Sequence, residues 1–412
     1  MGTTRWTGHR LPAALAVLIS ALLAGCTTPT GPTPSSSTPT GTTATPVTST
    51  SRTAPSVTAT APTATSTAGW PSGVVTPFRT TEPGSATGKR IGLISPDATD
   101  PFSRAVTDSI IAETTTAGAA LIRCDPGADG EFALECAQRL ANQQVDGWIV
   151  QRSGWIGGSS LCGAGPRQVP MIVVDGPPGL CTTATVTADD RAAGRLAGER
   201  LGEYSRRDHD CRFDALLLIT DPTESAASAA RAEGIREGFR QSCPDRLEAP
   251  FTTAPGSTVT PTPTPTSTAS SSAAAERARV TVVDTADQKA VYDAVQRVIG
   301  THPDSGRILI AAVSDGPAFT AMTAVRSAGR LEDVRLVAVG ADQRSRCEIA
   351  RNPRWLGDAA LFPDRYGELV VPSLVDAMAG GSIPQAMLTS SQFLDASTVS
   401  GSYDVSSCPE NP

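Results

Sequence analysis

The chain predicts a doubly wound α/β protein with parallel sheets, on three observations. Short apolar runs rich in Ile, Val and Leu recur along it. They are continuous rather than alternating, and segments of helical character lie between most of them. Continuous runs of this kind mark strands covered on both faces. Strand to strand takes about 25–30 residues, the size of one βα unit.

The strands follow in order: "RIGLIS" from Arg90, "AALIRC" from Ala119, "DGWIVQ" from Asp146, "PMIVVD" from Pro170 and "DALLLIT" from Asp214. Then come "ARVTVVD" from Ala278, "RILIAAV" from Arg307, "VRLVAVG" from Val334 and "GDAALF" from Gly357. The intervening helices include "FSRAVTDSIIAETTTAG", which gathers Ala105, Ile110 or Ile111, and the small residues near Ala112 on one side. "EFALECAQRLANQ", "DRAAGRLAGERLGEY", "SAASAARAEGIREGFRQ", "QKAVYDAVQRVIG", "PAFTAMTAVRSAG" and "DRYGELVVPSLVDAMAGG" behave alike, several ending at Gly.

The N-terminal part is of another kind. Arg5, His9 and Arg10 precede an apolar run from Leu11 to Leu23, too short to span a bilayer but suited to an export signal. It ends in Leu23-Ala24-Gly25-Cys26, which resembles the lipobox of bacterial lipoproteins. That resemblance implies a signal peptide over 1–25, cleavage before Cys26, diacylglyceryl on its sulfur, and a protein held on the outer face of the cell membrane. Two acyl chains anchor stably where one does not. The plainer reading is an ordinary signal with a chance Cys near its end.

Residues 26–88 are rich in Thr, Pro and Ser, with Arg52, Arg79 and Glu82 as the charges. Such a chain buries too little to offset its ordering entropy. A disordered tether reaching roughly 40–50 Å as a coil is expected, bare or O-glycosylated. The stretch 252–275 repeats this chemistry inside the remaining 89–412, and is expected to be a disordered insertion in a surface loop.

The formal charge of -7 argues against nucleic acid and anionic membrane surfaces as partners. Aromatic residues are 4%, so the core should be aliphatic. Cys124, Cys136, Cys162, Cys181, Cys211, Cys243, Cys347 and Cys408 follow Cys26, an even set in an exported chain, which argues for disulfides. Of the 105 possible connectivities, the sequential one is expected: Cys124–Cys136, Cys162–Cys181, Cys211–Cys243 and Cys347–Cys408, each clipping a local turn or helix end. No C-x-x-C spacing occurs and His is nearly absent (His9, His209, His302), so neither a metal nor another cofactor is expected. No G-x-S-x-G, G-x-G-x-x-G or P-loop is present, which argues against an enzyme.

Taken in order, the motifs resemble the periplasmic sugar-binding proteins of the ribose-binding type, a ligand module shared with lactose-repressor-like regulators. The segments that carry the resemblance are "RIGLISPDATDPFSRAVTDSI", "ALECAQRLANQQVDGWIV", "TADDRAAGRLAGERL", "SAARAEGI", "VSDGPAFTAMTAVRSAGRLEDVRLVAVGADQ" and "FPDRYGELVVPSLVDAMAGGSIPQ". It runs from about Lys89 to Val399, apart from the Thr/Pro insertion. It implies the type I periplasmic-binding architecture, two Rossmann-like lobes with parallel sheets joined by three crossovers. Lobe 1 would be about 89–187 and 362–390, and lobe 2 about 188–361 and 391–412. A carbohydrate-like ligand would sit in the cleft, at the carboxyl ends of the strands. The protein would be a monomer that serves an ABC transporter permease. No helix-turn-helix precedes the domain, which argues against a DNA-binding repressor.

The family's ligand positions fall on Asp100, Phe102, Asp175, Asp189, Arg231 and Asp342, with Ser314 replacing the usual Asn. A carboxylate accepts two sugar hydroxyls at once, Arg donates in a planar fork, and Phe102 can cover a C–H face. Each has a plainer alternative. Asp189 or Asp190 can simply cap a helix, Phe102 can be core, and Arg231 can pair with Glu233 or Glu237. Gly176, Leu361 and Ala286 stand where the family often has Arg, Gln and an aromatic residue. Gln151, Arg152, Ser153 and Trp155 are candidate substitutes, with Trp155 as a new aromatic wall or a loop anchor. Two functions remain open at this point: delivery of a sugar-like solute to an importer, or sensing by a lipoprotein with a drifted pocket.

Overall fold

A computed structural model describes residues 73–95, 101–127, 130–151, 158–222, 225–244, 252–253, 280–285, 287–304 and 306–409. Cys26, the signal, most of the tether, Asp100, Arg152, Trp155 and the bulk of the insertion lie outside these residues.

Two seven-stranded sheets carry the fold. The first comprises β1 (Val74–Val75), β2 (Arg90–Ile94), β3 (Ala120–Cys124), β4 (Gly147–Gln151), β5 (Met171–Val174), β6 (Ala184–Ala188) and β13 (Ala386–Thr389), in the order β1-β13-β6-β5-β4-β2-β3. The second comprises β7 (Ala215–Thr220), β8 (Thr252–Thr253), β9 (Val280–Asp284), β10 (Ile308–Ala312), β11 (Val334–Gly340), β12 (Trp355–Ala360) and β14 (Gln392–Leu394), in the order β14-β12-β11-β10-β7-β9-β8. Every pairing is parallel except β12 with β14. Strands β4, β5, β6, β7 and β10 are buried at every residue, as continuous apolar runs require.

Helices cover both faces of each sheet. Against the first pack α1 (Pro101–Thr116), α2 (Gly130–Asn142), α3 (Gly158–Ala164) and α9 (Gly367–Met378). Against the second pack α4 (Asp190–His209), α5 (Ser225–Ser242), α6 (Gln288–Thr301), α7 (Asp315–Ser327) and α8 (Gln343–Arg351), with the short α10 (Val399–Ser402). Four aliphatic cores result, two per lobe. The chain passes between the sheets after β6, after β12 and after β13. Phe102 touches a core of each lobe, and so does Phe78. The cysteines pair sequentially, as Cys124–Cys136, Cys162–Cys181, Cys211–Cys243 and Cys347–Cys408.

Two boundaries need correction. The tether expected to run to Gly88 gives way earlier. From Gly73 the chain joins the fold: Val74 and Val75 pair with Met387 and Leu388, Arg79 bridges to Asp376 at 2.6 Å, and Ala86 is buried. Backbone pairing and a few anchors hold this strap, which is why its Thr/Pro composition hides it. Thr252 and Thr253, placed within the expected insertion, instead pair with Thr281 and Val282.

Candidate functional site

Parallel strands end together, so their register places residues on one edge. Val174 lies opposite Val186, and Ala188 opposite Thr389. Asp175, Asp189, Asp190 and Thr389 therefore share the carboxyl edge of the first sheet. Asp175 is half-buried with φ 48°, a left-handed conformation that Asp tolerates better than most residues. Its N–H donates to the Val186 carbonyl at 3.0 Å.

The two adjacent aspartates divide their work. Asp189 is the N-cap of α4 and accepts from the Ala192 N–H at 3.1 Å. Asp190, one residue on, points to α5, where its Oδ1 accepts from Arg231 Nε at 2.7 Å. This pair is almost closed to solvent, with side-chain exposures of 11% and 7%. Arg231 Nη1 also donates to the Val313 carbonyl at 3.2 Å, just past β10 on the carboxyl edge of the second sheet. The glutamates Glu233 and Glu237 bind Arg191 instead. The Arg231 guanidinium thus stands where the carboxyl edges of the two sheets meet.

A side chain that sequence reasoning missed completes this cluster. Tyr366 begins the last long crossover into the first lobe and is fully buried. Burial first, and the charges of Asp175 and Asp190 second, push its phenol well above the usual tyrosine range. Phe102 meets its ring edge-on at 6.1 Å between centroids. The backbone there is pinned, because the Gly367 N–H donates to Ser109 Oγ at 2.9 Å and a Cβ on Gly367 would lie 2.2 Å from the Ser109 carbonyl oxygen. The one signal in the sequence was a tyrosine in an aromatic-poor chain, directly before a helix-starting glycine.

The second lobe adds a separate carboxyl group cluster. Ser314 is half-buried and extended at the start of α7, with no capping bond from its side chain. Asp342 caps α8, accepting from the N–H groups of Arg344 and Ser345 at 2.8 and 2.9 Å, with Arg344 Nη2 at 3.2 Å. Asp342 also lines a cavity of about 470 Å³ between the starts of α1 and α8, faced by Pro101, Arg104, Asp108 and Pro363. Asp175 and Arg231 are not on its wall, so the structure does not bring all the expected ligand residues to that one cavity. Behind Asp342, the carboxyl groups of Asp315 and Asp358 are buried together; burial, then Asp358 and Asp342, push Asp315 well above the usual carboxyl range, and burial raises Asp358 as well.

One further expectation changes. Gln151 does not face a ligand: it is buried, accepts from Thr107 Oγ1 at 2.6 Å and donates to the Ser103 carbonyl at 2.9 Å. Leu361 is packed into the second-lobe core. Among the described residues no group of His, Cys, Asp and Glu side chains could hold a metal ion.

Residues 91–382 match a family described as periplasmic binding protein domain. Among solved structures, the chain is similar to an ABC transporter solute-binding protein from Mycobacterium smegmatis with bound glycerol (20% identity, 76% of this chain and 96% of that one, TM-score 0.57). It is also similar to a periplasmic ribose ABC transporter protein from Conexibacter woesei (17%, 77% and 96%, 0.58) and to a solute-binding protein from Agrobacterium vitis with bound allitol (16%, 77% and 98%, 0.56). A curated relative, the helix-turn-helix transcriptional regulator PtxS of Pseudomonas plecoglossicida, is 26% identical over 157 residues. That match takes in 35% of this chain and 44% of the relative's length.

Proposed function

The chain belongs to the periplasmic binding protein family, a family of binding proteins rather than enzymes, and on that premise we propose that it is an extracytoplasmic lipoprotein that captures a sugar-like solute between its lobes for an ABC importer. One observation carries this reading. Asp175, Asp190, Arg231, Phe102 and Tyr366 converge where the carboxyl edges of two parallel sheets meet, the place where open α/β sheets bind ligands. Carboxylates that accept paired hydroxyls, a planar donor and a ring for C–H faces form a set suited to a polyhydroxylated guest. The polyols bound in the similar structures support that class.

Capture follows from the architecture. Three chain crossings join the lobes, and hinge closure around the ligand buries it against both. The reading also assigns ligand contacts to Asp342, Ser314 and Asp100, with Arg152 and Trp155 as substitutes for what Gly176 and Leu361 lack. The Cys26 lipid would hold the protein at the membrane as a monomer, and the Thr/Pro tract would give it reach to a permease. A sensing role is the second reading, favoured by the side chains lost at Gly176 and Leu361.

The test is a melting-temperature screen of the purified protein against pentoses, hexoses, polyols and nucleosides. Uptake predicts a shift with one class. A ligand at about 100 times its dissociation constant adds roughly 2.7 kcal/mol of stability. No shift anywhere in the panel removes the uptake reading and favours the sensor.

A further inference from the structure

The C-terminal tail lies on the second lobe by few attachments. From Asp395 to Cys408 only Val399 and Cys408 are buried. A cavity of about 330 Å³, lined by Arg351, Val399 and Tyr403, separates part of the tail from the end of α8. The cavity of about 470 Å³ beside Asp342 runs along another part, lined by Tyr403, Asp404 and Ser407. Segments with few buried contacts open locally at lower free energy than the whole fold. Beyond Val399 and the partly buried Val405, two attachments oppose that opening. Tyr403 packs on Phe362 of the crossover, and Cys408 is bonded to Cys347 of α8. That bond differs from the other three. Cys124 with Cys136, Cys181, and Cys211 with Cys243 lie in or against the aliphatic cores. Among the described residues, neither Cys347 nor Cys408 packs in a core, and both line the 470 Å³ cavity. Exposed Arg104, Asp108 and Gln343 stand on the same wall, so this cavity admits solvent. Thiol–disulfide exchange depends on such access to a sulfur.

We propose that Cys347–Cys408 is a redox-cleavable fastener: an extracytoplasmic dithiol reduces it while the other three disulfides persist, and its opening frees the tail, loosens the crossover and weakens the hold on solute. One thiolate of the dithiol attacks Cys347 Sγ, on the less buried of the two residues. The Cys347–Cys408 bond breaks, and Cys408 leaves as a thiolate that takes a proton. The second thiolate of the dithiol attacks the mixed disulfide and releases Cys347, which takes the second proton. Two electrons have passed, and the dithiol ends as a disulfide. The freed tail withdraws Tyr403 from Phe362, from Asp364 and from Arg346. Asp342 caps the same helix that carries Cys347, so the fastener acts on the wall of the cavity as well as on the crossover. The effect on solute rests on the capture reading above; the selective opening and the release of the crossover do not.

The experiment titrates the full chain with dithiothreitol, alkylates the freed thiols and maps them by mass spectrometry. Amide exchange over 361–366 and calorimetric binding of D-ribose, allitol and glycerol are then measured in the oxidised and singly reduced proteins. Cys347 and Cys408 should be labelled about tenfold sooner than the other six bonded cysteines, and exchange over 361–366 should quicken about tenfold. Whichever probe the oxidised protein takes should bind about tenfold more weakly after reduction. The variant Cys347→Ser/Cys408→Ser should show the faster exchange and the weaker binding with no reductant present. Another pair opening first, or all four opening together, overturns the proposal, and so does unchanged exchange in the singly reduced protein. Unchanged binding of a probe that the oxidised protein takes overturns the effect on solute and leaves sugar capture standing. If the oxidised protein binds none of the probes, the sugar reading fails by itself, while labelling and exchange still decide whether the fastener opens.

Discussion

Asp315 and Asp358 pose an electrostatic problem that a single proton solves. Asp315 Oδ2 accepts from the Asp342 N–H at 2.8 Å, and Asp358 Oδ1 accepts from Trp355 Nε1 at 2.7 Å. The remaining oxygens, Asp315 Oδ1 and Asp358 Oδ2, are buried without a donor. Two buried like charges cannot both persist, and a proton held between the carboxyls satisfies both oxygens. The folded protein therefore binds this proton where the unfolded chain, with a carboxyl near 3.8, has released it. Its stabilising share is complete on the acid side of that value and is lost as pH rises toward the folded value. Asp315→Asn supplies a permanent N–H to Asp358 and keeps an acceptor for Asp342. Its stability should decline less than that of wild type between about pH 5 and about pH 8, measured by urea unfolding at steps between. Parallel declines in the two proteins would show that the carboxyls titrate apart.

At the scale of elements, α4 and α5 meet backbone to backbone, and this sets the Arg231 position. A Cβ on Gly194 would lie 2.1 Å from the Arg231 carbonyl oxygen, and one on Gly238 would lie 2.1 Å from that of Arg195. Gly194→Ala must push the helices apart, at a cost of about 1–3 kcal/mol, and carry Arg231 away from Asp190, so solute affinity should fall with stability. Gly300→Ala in α6 meets nothing within 4 Å and should stabilise by about 0.5–1 kcal/mol. A G194A protein as stable as wild type would mean that the helices close without contact. The same elements explain what could be read in advance. Nine strands were legible because both faces of the sheets are covered and the runs are unbroken. Strand β6, "ATVTA", escaped because threonine and alanine break the apolar signal although every residue is buried. Strands β13 and β14 are short, and β1 is held by backbone pairing under exposed side chains. Motif order singles out Arg231 and Asp175 as ligand candidates. The split between Asp189 and Asp190 was not legible, because it depends on which residue stands before the first helical turn and which stands in it. Tyr366 lay in no motif that the resemblance uses for ligands.

The whole molecule gathers both ends of the fold on one crossover between lobes. Phe362 has a left-handed φ of 52° and is clasped from two sides, by Phe78 of the N-terminal strap at 6.3 Å and by Tyr403 of the C-terminal tail at 6.1 Å. Tyr403 donates to Asp364 at 3.2 Å, Arg346 pairs with the same carboxylate at 3.0 Å, and the Arg346 guanidinium lies over the Tyr403 ring. The Cys347–Cys408 bond ties this tail to α8 across 61 residues, whereas Cys124–Cys136 closes only 12. Loop-closure entropy makes the longer bridge worth more, about 4 kcal/mol against about 3 kcal/mol. Chemical unfolding of the paired serine variants C347S/C408S and C124S/C136S should reproduce that order. The first should lose more than the loop term alone, because a freed tail also releases Tyr403 from the crossover. Equal losses, or a larger loss at Cys124–Cys136, would mean that the tail contributes nothing to the clasp and that the crossover is held by the N-terminal strap.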